Sequence, residues 1–384
     1  MQVISLKVKS NAMFKTGNPT NNLNATVGYN GLTAGYINLT GGVIVESGAS
    51  FIVHTASAAI TNTSYLNLYG GGVTNSGTMT LHSGGTFPRR MVIAINDVGN
   101  TIGGVNPIDG DGLQVNRSVT LAQNLSLRGT LSLVSGNVMT GTNTLIMTST
   151  GSVTQTSGHV VGNLQKNIAA GPISKTFELG DGTNNTPVVV AFGNVTTGGD
   201  LKAASVTGDH PQLATSGFNA TKTVNRYYKL TNSGVVFDQY GATFNFAAGD
   251  VDPAANTSDF FVKKYDGSNW SALTVGTKTT TSTQITGATS FSDFAIGMLD
   301  TLVVIATGTS GGSVSPSGPQ LVPAHGSITF NFAADPCYQI DSVLVDGVNV
   351  GTPASYTFND VLTPHVVMVF FGKIKYPITV VQIP

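Results

Sequence analysis

The clearest pattern in the chain runs from Val119 to Val161. Apolar residues come there as short alternating pairs, Val119 and Leu121, Leu125 and Leu127, Leu131 and Leu133, and then as Val138, Leu145 and Val153, separated by Gly, Ser, Thr and Asn. Alternation over so few residues describes a strand with one buried face, and no helical spacing competes with it. Strand and turn recur every roughly 6 to 10 residues, so the economical arrangement is a coil of short strands whose inward Leu and Val stack from rung to rung, a β-solenoid. The same ladder is expected from Tyr36 onward in YINL, VIV, FIV, YLNLY and TMTLHSG, with Gly41-Gly42, Gly70 to Gly72 and Gly84-Gly85 at the corners. Glycine suits corners because it takes positive φ and lets backbones approach closely. Residues 88–118 interrupt the alternation and are expected to form a wider rung or side loop. Residues 2–8, QVISLKV, read as an isolated strand in need of a partner, followed by a polar link.

At about Gly162 the texture changes to longer alternating strands with more aromatics: TPVVVAF, LKAASV, NRYYKL, GATFNF, DFFVKKY and TSFSDFAIG. Turn signals such as Asp181-Gly182, Gly198-Gly199 and Asp266-Gly267 space them, which suggests a β-sandwich. Its core is expected to hold Trp270, Tyr227, Tyr228, Phe244, Phe246, Phe291 and Phe294. A third unit runs from Leu302 to Phe371, with Asp346-Gly347 between VLV and VNV as a hairpin signal. The expected division is residues 1–30, an N-terminal strand and linker; 31–161, the solenoid; 162–299, the sandwich; 300–372, a small module; and 373–384, a strand-like tail.

Composition narrows the class. The 384 residues are 10% charged, 40% apolar and include 47 glycines, a balance unlike that of disordered chains, which are charge-rich and poor in β-branched residues. The chain reads as all-β. A formal net charge of −1 leaves no electrostatic footprint for nucleic acid or an anionic membrane. Apolar runs such as Val366 to Phe371 fall far short of the roughly 18 residues of a membrane helix. The single cysteine, Cys337, excludes an internal disulfide framework. The opening residues place lysines inside the apolar stretch and do not read as a secretory signal.

Two stretches resemble known modules. The run GGSVSPSG, ITFNFAADPCYQIDSVLVDGVNVG, SYTFNDV and HVVMVFF resembles the divergent InlB B-type bacterial repeat, which implies a small β-grasp-like surface module. The run VVGNLQKNI, TFELGDGTNNTPVVVAF, TKTVNRYYKLTNSG, ATFNFAAGDVD, VKKYDGSNWSAL and TSFSDFAIG resembles an uncharacterised sandwich of large secreted Bacteroidota-type surface proteins. Together they imply an extracellular or cell-surface bacterial setting, and neither brings catalytic residues with it. The segment from Lys375 to Val381 looks like the first strand of another copy of the repeat.

Candidate chemistry is sparse. Gly308-Thr309-Ser310-Gly311-Gly312 fits the G-x-S-x-G string of a hydrolase elbow, but no helix follows it, and a hairpin is expected. The histidines, His54, His82, His159, His210, His325 and His365, are scattered, with no close pair for zinc. Asp109 and Asp111, and Asp250 and Asp252, present carboxylates from turn-like spacings that suit a hard cation such as Ca²⁺, although neither pair completes a recognised loop. No other cofactor is indicated. Asp97, Asp109 and Asp111 are the only acidic residues placed for a solenoid hydrolase, and no enzyme is expected. Exposed aromatics such as Tyr65, Tyr69 or Trp270 would suit sugar stacking in a glycan-binding adhesin. The favoured expectation is a structural protein that polymerises with itself, head to tail, by strand addition. Its assembly residues would be Tyr376, Ile378, Val380 and Val381 in the tail and Val3, Leu6 and Val8 at the other end.

Overall fold

A computed structural model describes residues 2–3, 6–8, 13–16, 36–39, 42–45, 47, 50–53, 64–80, 91–105, 108–110, 112–324 and 326–376. It is all-β, with no helix as long as seven residues. The chain divides into two compact units, one of Met1–His210, Val224–Asp252 and Phe261–Ile296, the other of Pro211–Thr223, Pro253–Phe260 and Gly297–Pro384.

The first unit opens with three parallel ladders. One stacks Gln2–Val3, Tyr36–Leu39, Ser64–Leu68, Met91–Ile95, Gly112–Val115, Thr130–Leu133 and Ser152–Gln155. The second stacks Leu6–Val8, Val43–Val45, Val73–Asn75, Asn100–Gly104 and Val119–Leu121 onto the start of Val138–Met147. The third stacks Met13–Thr16, Ser50–Val53, Thr78–Thr80, Ile108–Gly110 and Leu125–Leu127 onto the end of that same strand. Because register sets which face each side chain takes, equivalent apolar residues fall into columns. Leu66, Ile93, Leu113 and Leu131 form one and Leu68, Ile95, Val115 and Leu133 another, all buried. Each such side chain contributes about 1.5–3 kcal/mol by leaving water.

Two expectations change here. Residues 88–118 are no side loop, because Met91–Ile95, Asn100–Gly104, Ile108–Gly110 and Gly112–Val115 occupy regular rungs in all three ladders. The ladder also begins at Gln2 and not at residue 31. Val3 pairs with Leu39, Leu6 with Val43 and Val8 with Val45, so the strand that reads as solitary in sequence has its partner a full coil downstream. The corners stack as the ladders do. Gly72, at φ +69°, leaves no room for a side chain, since a Cβ there would lie 1.9 Å from the Thr101 carbonyl oxygen.

Val160–Ile168 carries the chain from solenoid to sandwich. On one edge Leu164, Gln165 and Lys166 pair in parallel with Leu145, Ile146 and Met147 of the last coil. On the other edge the same residues pair antiparallel with Ala203, Lys202 and Leu201. An open strand edge invites uncontrolled pairing, and here the sandwich closes it. One sheet of the sandwich continues from this strand through Gly199–Thr207 and Phe218–Ser233 to Asp293–Leu299, Phe261–Tyr265 and Trp270–Ala272. The facing sheet contains Gly171–Phe177, Val188–Thr197, Tyr240–Asn245, Ser282–Ala288 and Thr274–Thr279, all antiparallel. Tyr228, Phe244 and Phe294 meet in the core, with ring centroids 4.9 and 5.1 Å apart. Trp270 and Tyr227 are only half-buried, because alternation turns Tyr227 to the face opposite Tyr228.

In the second unit a five-stranded sheet orders Gly318–Pro323, Thr301–Gly308, His365–Lys373, Tyr338–Val345 and Val348–Asn349, with the second and third strands parallel. Its inner face packs on a three-stranded sheet of Gly312–Ser315, Ile328–Ala334 and Ser355–Phe358 through Val304, Phe330, Val343, Val367 and Val369. Ser310 lies in the turn between Thr301–Gly308 and Gly312–Ser315, so the G-x-S-x-G string joins two strands.

Candidate functional site

Strand alternation along residues 224–230 sends Val224, Arg226, Tyr228 and Leu230 inward, which places a guanidinium in the sandwich core. Arg226 is fully buried. Its Nε donates to Asp250 Oδ2 at 2.8 Å, Nη1 to Ser205 Oγ at 3.0 Å, and Nη2 to Asp181 Oδ2 at 2.5 Å and Asp250 Oδ1 at 3.2 Å. Burial acts to raise the Asp181 pKa, but the backbone amides of Asn184 and Thr183 and the Arg226 guanidinium outweigh it and hold the carboxyl at about 2. Burial alone pushes the Tyr240 hydroxyl far above its ordinary range, and it is also the main cause of the rise at Tyr228. Tyr228 donates its hydroxyl to the Asn245 carbonyl. Lys166, which burial shifts downward, donates to Glu178 Oε2 and the Thr176 carbonyl, both at 2.6 Å.

Arg226 and Tyr228 are fully buried, and the carboxylates and ammonium around them keep only a small exposed share, so these groups act as locks. Buried charges persist only when paired and hydrogen-bonded, and each of these has its partners in place.

The more open feature lies at one end of the sandwich, a cleft of about 620 Å³. Phe237 and Phe291, both half-buried, line it with centroids 5.2 Å apart, and Phe291 stacks on Tyr240 at 4.2 Å. Ser290, Ser292 and Asp293 supply polar atoms, with the Lys264 ammonium donating to Ser290 Oγ. Asp293 also reaches Lys229 at 3.5 Å and His210 Nε2 at 3.4 Å. His210 is buried against Tyr227, Tyr265 and Trp270, with centroids 5.0, 5.1 and 4.9 Å away. Trp270 is therefore engaged with a histidine ring. Aromatic faces beside hydroxyls and a carboxylate form a lining suited to small ligands with both apolar and polar sides.

The sequence-expected residues fall as follows. Both Asp250 oxygens accept from Arg226, and Oδ2 also accepts from the Ala247 amide at 2.8 Å. Asp252 Oδ1 accepts from Asn225 Nδ2 at 2.8 Å. That pair is thus brought together around a guanidinium and an amide. Asp109 lies in a ladder strand beside Ser126 and Thr80, but its side chain and all of Asp111 lie outside the described residues. Among the described residues no three His, Cys, Asp or Glu side chains converge as a metal site, and no helix is long and apolar enough to cross a membrane. Tyr65 is half-buried and Tyr69 is exposed. Tyr376 is exposed, whereas Ile378, Val380 and Val381 lie outside the described residues, as do His54, His82 and His325. The Arg226 lock escaped the sequence reading, although an arginine in phase with Val224, Tyr228 and Leu230 was its signal. The cleft left none, since Phe237 and Phe291 are far apart in the chain.

Comparison with protein-family models, with curated proteins and with solved structures found no match for the chain.

Proposed function

We propose that the chain is a non-catalytic structural protein of the bacterial cell surface, a subunit that assembles by β-strand addition. The observation that carries this reading is the difference between the two ends of the solenoid. The last coil is closed by the sandwich through Leu164 to Lys166. At the first coil Gln2–Val3, Leu6–Val8 and Met13–Thr16 have a neighbouring strand on one side only, among the described residues. Such an edge accepts an added strand. The tail sequence from Lys373 to Pro384 is a suitable donor, because Tyr376, Ile378 and Val380 recur at every second position, the spacing of one strand face. Head-to-tail repetition of one donor and one acceptor makes an open filament. The surface setting rests on the resemblances of the middle and last regions to bacterial surface modules.

Electron microscopy of the intact protein and of a variant lacking residues 373–384, at matched concentrations, tests the reading. Filaments from the intact chain alone are expected, and monomers from both sink it. The cleft favours a second reading, a glycan-binding adhesin, in which a pyranose would stack on Phe237 or Phe291. Binding on a glycan array that disappears in Phe237→Ala would support it, and an array without signal would remove it.

A further inference from the structure

The polar groups around the cleft at the end of the sandwich are unevenly engaged. Asn232 closes on its own loop, with Nδ2 donating to the Val235 carbonyl at 2.8 Å and Oδ1 accepting from the Val235 amide at 2.9 Å. The one carboxylate in the lining, Asp293, is answered by the Lys229 ammonium 3.5 Å away and by His210. The Ser290 carbonyl accepts from the Tyr240 hydroxyl at 3.0 Å. Donors, by contrast, are left over. Ser290 Oγ accepts from the Lys264 ammonium and so keeps its own proton to give. The exposed Thr231 and Thr289 hydroxyls have no partner among the described residues. An ammonium carries three donors, and Ser290 uses one of those on Lys264. Asp266, the other carboxylate that the Lys264 charge reaches, is exposed in a turn where its Oδ1 accepts from the Ser268 and Asn269 amides.

We propose that this cleft takes an acidic sugar, with its pyranose ring against Phe237 and Phe291 and its anionic group on the Lys264 ammonium and the Ser290 hydroxyl. This ligand class presupposes the glycan-binding reading of the cleft. The two rings are already fixed, since Phe291 stacks on the buried Tyr240 at 4.2 Å and Phe237 meets Phe192 edge-on at 5.3 Å. Little ordering therefore accompanies binding. An anion at Lys264 makes a charge-assisted hydrogen bond, stronger than one between neutral groups. Lys264 is half-buried, so its attraction is less screened than that of an open surface charge. A cationic ligand would meet two ammonium groups and a carboxylate that is already paired, and a neutral sugar would gain nothing from the Lys264 charge. A uronate carboxylate and a sulfate ester offer the same chemistry at this position, an anionic group beside a pyranose ring.

A glycan array bearing uronate, sulfated and neutral oligosaccharides, probed with the intact protein, tests the assignment. Signal is expected on the anionic glycans, and the uronate and sulfated arms tell the two sources apart. For the strongest binder, titration calorimetry should show affinity reduced at least about fivefold by Lys264→Gln and kept by Lys264→Arg. Affinity should also fall as NaCl is raised from about 50 mM to about 500 mM, and this readout on the unaltered protein serves if Lys264→Gln lowers the Tm. Equal binding of neutral and acidic glycans, unmoved by Lys264→Gln and by salt, overturns the acidic ligand and leaves the glycan-binding reading standing. Binding of acidic glycans that survives Lys264→Gln overturns it too, by placing the anion elsewhere. An array silent in every arm overturns both.

Discussion

The solenoid and the sandwich share one strand, Val160–Ile168, yet they are held together by different means. In the solenoid every rung repeats the contacts of the rung before it. The columns of Leu66, Ile93, Leu113 and Leu131 contain only apolar residues, and the polar ladder of Asn38, Asn67, Asn96 and Asn116 passes one amide hydrogen bond from coil to coil, at 2.8, 3.4 and 2.7 Å. In the sandwich the decisive contacts are singular and distant in sequence, as in the guanidinium of Arg226 held by Asp181, Ser205 and Asp250. A stack of like units spreads its stability over nearest neighbours, so it tolerates local damage but has ends that must be closed. A sandwich core is one cooperative body that a single unpaired charge can break.

That contrast can be broken at its sharpest point first. Asp250→Ala leaves the Arg226 charge buried with part of its partners gone and is expected to cost about 3–5 kcal/mol. Urea denaturation followed by Tyr and Trp fluorescence measures it, and a loss under about 1 kcal/mol would show that the lock is dispensable. Leu113→Ala removes one member of a solenoid column and is expected to cost about 3 kcal/mol. Hydrogen exchange should rise in the neighbouring rungs around Ile93 and Leu131 while the sandwich amides stay protected. Equal deprotection of the sandwich would mean that the two regions unfold as one.

Acid sharpens the comparison further. Asp181 is held at about 2 in the folded state, below the roughly 3.9 of an unfolded Asp, so its contribution is fully present above about pH 4 and is lost as the pH falls towards 2. The sandwich signal should therefore weaken through that window, and Asp181→Asn should flatten the dependence while lowering stability at neutral pH. The smallest effects belong to the solenoid's polar exterior. Asn96→Ala removes two rungs of the amide ladder and is expected to cost about 1 kcal/mol. Ser132→Ala, which loses one exposed hydroxyl contact with Thr154, should stay within about 0.5 kcal/mol. A larger effect from Ser132→Ala than from Leu113→Ala would reverse the assignment of the column as the source of stability.

Legibility along the chain followed the range of the interactions. The strands around Val119, Leu125 and Leu131 were readable because period-2 alternation is local, and so was the all-β class. Residues 88–118 misled because Asp97 and Gly99, which stand at a corner, look in sequence like the start of a loop, while what makes Ile93 and Leu113 regular rungs is pairing with residues about a coil away. Arg226 was visible only as a charge in an inward phase. Nothing local indicated that Asp181 and Asp250 would meet it, nor that Phe237 would face Phe291.

By itself the sequence determined that this chain forms short strands and that glycines mark its corners. Both follow from side-chain chemistry and spacing within a few residues. Only the tertiary structure decided that residues 2–8 join the ladder, that the sandwich closes the solenoid's last edge, that a guanidinium is locked in the core and that Phe237 and Phe291 line one cleft. Each of those depends on which strand becomes whose neighbour, and pairing is settled by the burial and hydrogen bonding of the whole chain, beyond the reach of any local window.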